Sequence, residues 1–311
     1  MFPSPDKIIG NREELLTAYI NQINKLETGS FPPKSDNIFR FCSYNVKYFK
    51  FQQYGSNEIK LFIDAINPDA CSLIEYDIAH DRAFKHITSA HDSVLFEQLP
   101  GYGIFTMYNT LNADTITTQP LVEKIHGSKY SLYILNKMRI LSHDRYGDMS
   151  ELRGFTHMVI TCNLININIL SVHLDVYDET GNIRLQEIKE VYEYIIQHSL
   201  RNVLILGDFN EWDLKKTDAT YHDSLIDFRE RTGLDHFSTK AHDFLKDRHF
   251  LNVFHMKGKN PKFSCWSGKL VDFCYLFKDT WDNLLEIVDI HMPFVPYSDH
   301  LPIIVDIKSN A

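Results

Sequence analysis

Eight polar side chains, each at the start or the end of an apolar run, carry the chemistry available to this chain: Asn45, Glu75, His173, Asp208, Asn210, Asp272, Asp299 and His300. The densest group lies in VLILGDFNEWD, Val203 to Asp213. Its first half is a continuous aliphatic run, the pattern of a strand buried on both faces. Gly207 then permits a sharp turn and leaves Asp208 and Asn210 at the carboxyl end of that strand. A carboxylate and a carboxamide two residues apart on extended backbone point the same way. Such a pair can hold a water molecule against a metal-bound phosphate. Gly-Asp followed by Asn is also ordinary turn chemistry after a strand, so the other residues must decide between the two. Glu75, Asp299 and the amide of Asn45 are hard oxygen donors that suit Mg²⁺ or Mn²⁺ better than zinc. No H-E-x-x-H or cysteine cluster argues for zinc, and no G-x-S-x-G argues for a serine hydrolase.

Each of these groups needs an element to place it. Residues 38 to 46, IFRFCSYNV, alternate as a strand and deliver Asn45. A capped helix follows at Ser56, with Ile59, Phe62, Ile63 and Ile66 on one stripe, and Pro68 stops it. The short apolar run ACSLIE then ends on Glu75, either facing a site or simply closing a solvated strand end. Residues 77 to 130 carry weak signals, with strands expected at Tyr102 to Tyr108 and Tyr130 to Ile134. Thr156 to Cys162 and Ile165 to Val172 read as a hairpin around Asn163, and its second strand runs into His173. A helix with Leu185, Ile188, Val191 and Ile195 on one side leads into Val203. Strands at Leu270 to Phe277, Leu284 to Ile290 and Leu301 to Ile307 close the chain, with Asp299 and His300 just before the last. At the other end, residues 11 to 27 predict a helix in an N-terminal extension, 1–37, ahead of one domain spanning 38–311. Residues 214 to 262 are polar and rich in histidine; without tight ligand spacing they read as an exposed connecting segment rather than a metal site.

Composition bounds the class. The 311 residues, 44% hydrophobic and 23% charged, are those of a soluble globular protein with a full core. A net charge of −9 does not advertise a nucleic-acid binder. It does not exclude one either, because acidic residues gathered around divalent cations leave the occupied site locally positive. Five cysteines without a C-x-x-C pair, mostly in apolar runs, favour a reducing compartment. With no signal sequence and no apolar run long enough to span a bilayer, the expectation is an intracellular protein, cytoplasmic or nuclear.

In order along the chain, SYNV at 43–46, SLIE at 72–75, RGF at 153–155, LSVHLD at 170–175 with RLQE at 184–187, GDFN at 207–210, VDFCYLF at 271–277 and SDHLPI at 298–303 resemble the motifs of the endonuclease/exonuclease/phosphatase, or DNase I-like, superfamily. The resemblance implies a four-layered α/β sandwich, two mixed sheets face to face with helices outside and the site at one edge. It implies Mg²⁺- or Mn²⁺-dependent hydrolysis of a phosphoester. By position, Glu75 would be the principal metal ligand, with Asn45 and Asp299 near the metal directly or through water. Asp208 would activate the water and Asn210 orient it. His300, paired with Asp272, and His173 would contact the phosphoryl oxygens. Ile74, Tyr76, Phe273 and Cys274 depart from the family's usual residues beside the catalytic groups, which touches the substrate pocket rather than the chemistry. A fold of this kind does not choose its ester. Leu206 and CWSGKLVD disfavour the inositol polyphosphate 5-phosphatases. HLD with Arg184 and Gln186, and GDFNEWD, look closest to 5′-tyrosyl-DNA phosphodiesterases and generic bacterial or viral members. Nucleic acid is therefore the expected substrate, ahead of an intracellular lipid or sugar phosphate and of a catalytically silent binding scaffold. Trp212, Trp266, Tyr177 and Phe155 are available either to stack on bases or to pack the rim of the sandwich.

Overall fold

Alternation along the strands sorts their side chains onto two faces, and the burial of both faces sets the architecture. In a computed structural model the described residues are 34–35, 38–84, 93–99, 102–108, 115–119, 122–126, 130–146, 149–162, 165–176, 178, 180–212, 238–261, 263–266 and 268–310. Among them the strands are β1 (Ile38–Asn45), β2 (Ala70–Asp77), β3 (Ser93–Leu99), β4 (Tyr102–Tyr108), β5 (Thr115–Gln119), β6 (Val122–His126), β7 (Tyr130–Tyr146), β8 (Met149–Cys162), β9 (Ile165–His173), β10 (Val203–Asp208), β11 (Phe250–Asn252), β12 (Asp272–Phe277), β13 (Leu285–His291) and β14 (Ile303–Ser309). The helices are α1 (Ser56–Ile66), α2 (Asn182–Gln197), α3 (Lys240–Asp247) and α4 (Val253–Met256). The described strands form two mixed sheets, one in the order β13-β14-β1-β2-β4-β3 and one in the order β11-β12-β10-β9-β8-β7-β6-β5.

Three apolar layers hold these parts together. Phe39 and Phe41 of β1 and Ile303, Val305 and Ile307 of β14 meet Leu204 and Leu206 of β10 and Ile167 and Ile169 of β9 between the sheets. On the outer face of the second sheet, Val203 and Ile205 of β10 pack with Ile188, Val191 and Ile195 of α2 and with Ala241 and Leu245 of α3. On the outer face of the first, Cys42 and Tyr44 of β1 pack with Ile59, Phe62, Ile63 and Ile66 of α1. The result is helix, sheet, sheet, helix: four layers, as the resemblance implies. Each large side chain so buried contributes roughly 1.5–3 kcal/mol. One buried ion pair fixes the first sheet far from Asn45: Arg40 donates through Nε and Nη2 to both oxygens of Asp306, each at 2.7 Å. Removing one partner would leave the other charge buried, a loss of about 3–5 kcal/mol.

Several sequence expectations change here. The strand expected at Tyr130 to Ile134 continues to Tyr146, and β3, β5 and β6 occupy parts of the stretch with weak signals. The histidine-rich segment is not an exposed connection over its described part, 238–261: α3, β11 and α4 form there, with Phe244, Leu245, Phe250, Val253 and Phe254 buried. His242 is fully buried; its ring nitrogens pair with the Tyr275 hydroxyl at 2.9 Å and the Glu211 carbonyl at 3.0 Å. Apolar neighbours and these two bonds turn the segment inward. The expected helix at 11–27, the rest of the 1–37 extension apart from 34–35, and residues 214–237 lie outside the described residues. Cys42, Cys71, Cys265 and Cys274 are buried thiols outside any disulfide. No helix among the described residues is long and apolar enough to cross a membrane.

Candidate active site

Strand direction brings the eight polar residues to one edge. β1 and β2 are parallel and Asn45 pairs with Ile74, so Asn45, the last residue of β1, and Glu75, near the end of β2, emerge at the same end. β14 runs antiparallel to β1, so the segment before it, with Asp299 and His300, begins there. In the second sheet β9 and β10 are parallel and β12 is antiparallel to β10, which sets Asp208 opposite both His173 and Asp272. One amide then joins the sheets: Asn45 Nδ2 donates to Glu75 Oε1 at 3.2 Å and to Asp208 Oδ2 at 3.0 Å, while its Oδ1 accepts the Lys47 N–H at 3.1 Å. His300 Nδ1 pairs with Asp272 Oδ2 at 2.9 Å and stands 3.8 Å from Asp208 Oδ2. His173 Nε2 lies 3.9 Å from Glu75 Oε1.

Local backbone explains the aim of these groups. Glu75 has φ +55 at an irregularity between Leu73 and Tyr76 in the pairing of β2 with β4. A bulge with a left-handed residue turns the glutamate out of the alternation that would otherwise fix it. At Gly207, φ is +137, and a Cβ there would lie 2.2 Å from the Val172 carbonyl oxygen and 3.0 Å from Ile74 Cδ1. Only glycine fits, and the close approach seats β10 against β9 with Asp208 at the edge. Ile74 is fully buried, packing over that glycine. Asn210 sits at φ +47; its backbone N–H donates to Asp208 Oδ1 at 2.9 Å and its side-chain amide to the Leu174 carbonyl at 3.0 Å.

Charge and burial separate the roles of the two histidines. Burial opposes charge on His300, but Asp272 and then Asp208 outweigh it and hold its pKa well above the usual range, so the ring is an imidazolium at neutral pH. Burial and the neighbouring Arg153 push His173 well below its usual range, so that ring is neutral. Arg153 Nη1 stands 3.2 Å from the His173 ring nitrogens. Burial raises Asp208 to about 6, opposed by His300 and assisted by Asp272. Glu75 is raised as well, by burial first and against the pull of Lys47.

The residues fit a divalent cation. Glu75 Oε2 is a buried carboxylate oxygen with no hydrogen-bond partner among the described residues. Ligand atoms of Glu75, His173 and Asp208 lie within 4.8 Å of one another, as do those of Asp208, Asp272 and His300. Asp299 belongs to neither group; it reaches the site through Lys47 Nζ, 3.2 Å from its Oδ2.

Residues not singled out from the sequence support these groups. Glu211 accepts at Oε2 from the N–H of Ala241 at 2.6 Å and of His242 at 3.3 Å, capping α3, and its Oε1 lies 3.6 Å from Arg184 Nε. The turn carrying Asp208 and Asn210 is thereby tied to α2 and α3. The sequence signal for Glu211 was its place beside GDFN, and for Lys47 its place two residues after Asn45. Among the aromatics named for stacking, Trp212 and Phe155 are 1% and 0% exposed, so they pack the core and cannot meet a base. Trp266 is half-buried, its backbone N–H donating to the Asp299 carbonyl at 2.8 Å, and Tyr177 lies outside the described residues.

No protein-family model matches the sequence. No curated protein matches it either. Solved structures do. The catalytic domain of human Nocturnin, with bound sulfate, shares 14% identity over 88% of this chain and 94% of its own, with a TM-score of 0.56. D. rerio TDP2, complexed with a single-strand DNA product, shares 14% over 88% and 100%, at 0.55. An endonuclease/exonuclease/phosphatase family protein from Bacteroides thetaiotaomicron shares 11% over 90% and 100%, at 0.53. With two packed mixed sheets, helices on both outer faces and this coverage, the chain has the endonuclease/exonuclease/phosphatase, DNase I-like fold.

Proposed function

We propose that this chain is a phosphoesterase of the endonuclease/exonuclease/phosphatase superfamily, dependent on Mg²⁺ or Mn²⁺, acting on phosphodiesters of nucleic acid. The observation that carries the reading is the single edge where Glu75, with its unpartnered buried oxygen, meets Asp208, His300 and His173. Glu75 would hold the cation, with Asn45 and Asp299 beside it; a bound divalent ion supplies charge to the phosphoryl group and to the leaving oxygen. The chain's own groups do the rest. Asp208, held by Asn45 and Asn210, takes a proton from the attacking water, with its pKa raised toward the working pH of a base. Asn210 offers its carbonyl oxygen to orient that water. The His300 imidazolium, kept charged by Asp272, donates to a non-bridging oxygen as negative charge builds there. His173, neutral, offers a ring N–H to a second oxygen without adding charge.

Nucleic acid is preferred because TDP2, which shares the fold over its full length, was solved with a single-strand DNA product. Trp266, half-buried and joined through its backbone to Asp299, is the residue that would be left to stack on a base. The test is a substrate panel in Mg²⁺: nicked or abasic DNA, 5′-phosphotyrosyl DNA, sphingomyelin and bis-p-nitrophenyl phosphate. Hydrolysis of a DNA substrate, lost in Asp208→Ala and Glu75→Ala, is expected. Activity on the lipid alone would overturn the substrate class, and activity on none of the four would overturn the phosphoesterase reading.

A further inference from the structure

Lys47 lies in a segment no polypeptide adopts without reason. Lys47, Tyr48 and Phe49 have φ of +46, +56 and +57, a turn of left-handed backbone with no glycine in it. Phe49 anchors the turn, buried edge-on to Tyr76 with ring centroids 5.4 Å apart and stacked on Phe84 at 5.9 Å. At its other end the Lys47 N–H is fixed on Asn45 Oδ1. The side chain so launched brings Nζ to 3.2 Å from Asp299 Oδ2 while remaining 39% exposed. Its charge is felt across the site: it pulls down the Glu75 carboxyl and opposes charge on His173, which belongs to the other sheet. A lysine that merely neutralised Asp299 would return less stability than three left-handed residues cost, because a partly exposed ion pair is weak. Strain of this sort, held in place by packing, gathers where function needs a group in one position.

We propose that Lys47 is a catalytic residue whose ammonium, which rests on Asp299 in this structure, would bind a non-bridging oxygen of the phosphoester while the carboxylates of the site hold a divalent cation. The inference rests on the phosphoesterase reading above. Lys47 remains protonated throughout and forms no bond to phosphorus; it adds a fixed positive charge to that of His300.

The test compares Lys47→Met, which keeps the side chain's length, with Lys47→Arg and with Lys50→Met, three residues on and exposed. Binding of inorganic phosphate in Mg²⁺, followed by calorimetry, should weaken about tenfold in Lys47→Met and stay near wild type in the other two. With a hydrolysed diester, kcat of Lys47→Met should fall roughly 100-fold, the usual effect of losing one donor to the developing charge. Mg²⁺ itself should bind Lys47→Met at least as tightly as wild type. Phosphate binding within twofold of wild type in Lys47→Met would overturn the proposal. So would loss of Mg²⁺ binding, which would make Lys47 a support for the carboxylates. If the wild type hydrolyses nothing, the functional reading fails, and phosphate binding still decides the role of Lys47.

Discussion

Asp208→Asn should make the metal-free protein more stable while removing its activity. Asp208 is 1% exposed, and its carboxyl is raised from 3.8 to about 6. That difference already contains the hydrogen bonds from Asn45 and Asn210 and the attraction of His300, all of which lower it. At 1.36 kcal/mol per pH unit, the ionised group costs the folded state about 3 kcal/mol at neutral pH. The sign follows from the raised value: the cost is absent below the unfolded pKa near 4, grows as pH rises toward about 6, and is constant above. An amide escapes it. Unfolding by urea in EDTA should therefore show Asp208→Asn more stable than wild type by up to about 3 kcal/mol at pH 7.5, a Tm rise of up to roughly 5 °C. The gap should close near pH 4. Turnover in Mg²⁺ should drop by about two to four powers of ten. A variant no more stable than wild type at pH 7.5, or a gap that persists at pH 4, would refute the reasoning.

Three further outcomes are expected. Asp272→Asn removes the largest influence raising His300, so the alkaline limb of the kcat/KM profile should move to lower pH. The stability that charged His300 gives the fold, present at low pH and lost as pH rises through its folded pKa, should be lost earlier in that variant. Gly207→Ala sets a methyl group against the Val172 carbonyl oxygen, which the strand ladder prevents from moving; urea unfolding should show a loss on the order of 3–5 kcal/mol. Mg²⁺ should raise Tm more at pH 7.5 than at pH 5, because protons compete for the raised carboxyls of Glu75 and Asp208, and Glu75→Gln should abolish the rise at both.

The strands that carry the site were legible because burial on both faces writes itself as an apolar run that stops at a polar residue, as in VLILGD and ACSLIE. The ends of those runs named Glu75 and Asp208 before any geometry was known. What alternation could not show was the backbone that aims them. Glu75 in a bulge and Lys47-Tyr48-Phe49 in a left-handed turn use residues with no preference for positive φ; packing of Phe49 against Tyr76 and Phe84 imposes it. α3 was misread because His242 counts as polar, and its partners, Glu211 and Tyr275, lie elsewhere in the sequence. Phe155 and Trp212 were ambiguous for the opposite reason: an aromatic beside a motif looks the same whether it faces a ligand or the core.

The Asn45 amide that bridges Glu75 and Asp208 is the seam between the two sheets at the site edge, and the Thr106–Thr156 hydroxyl pair is a second link between them. Almost the whole length of the polypeptide separates Asn45 from His300, and each sheet by itself owns only half of the reacting groups. On the proposed function, a ribosome-bound chain, a proteolytic fragment or a partly opened molecule would therefore be inert even with one sheet intact. Turnover would register sliding of one layer over the other before any loss of secondary structure, and the protein would be harmless to nearby phosphoesters until its last strand is threaded beside its first.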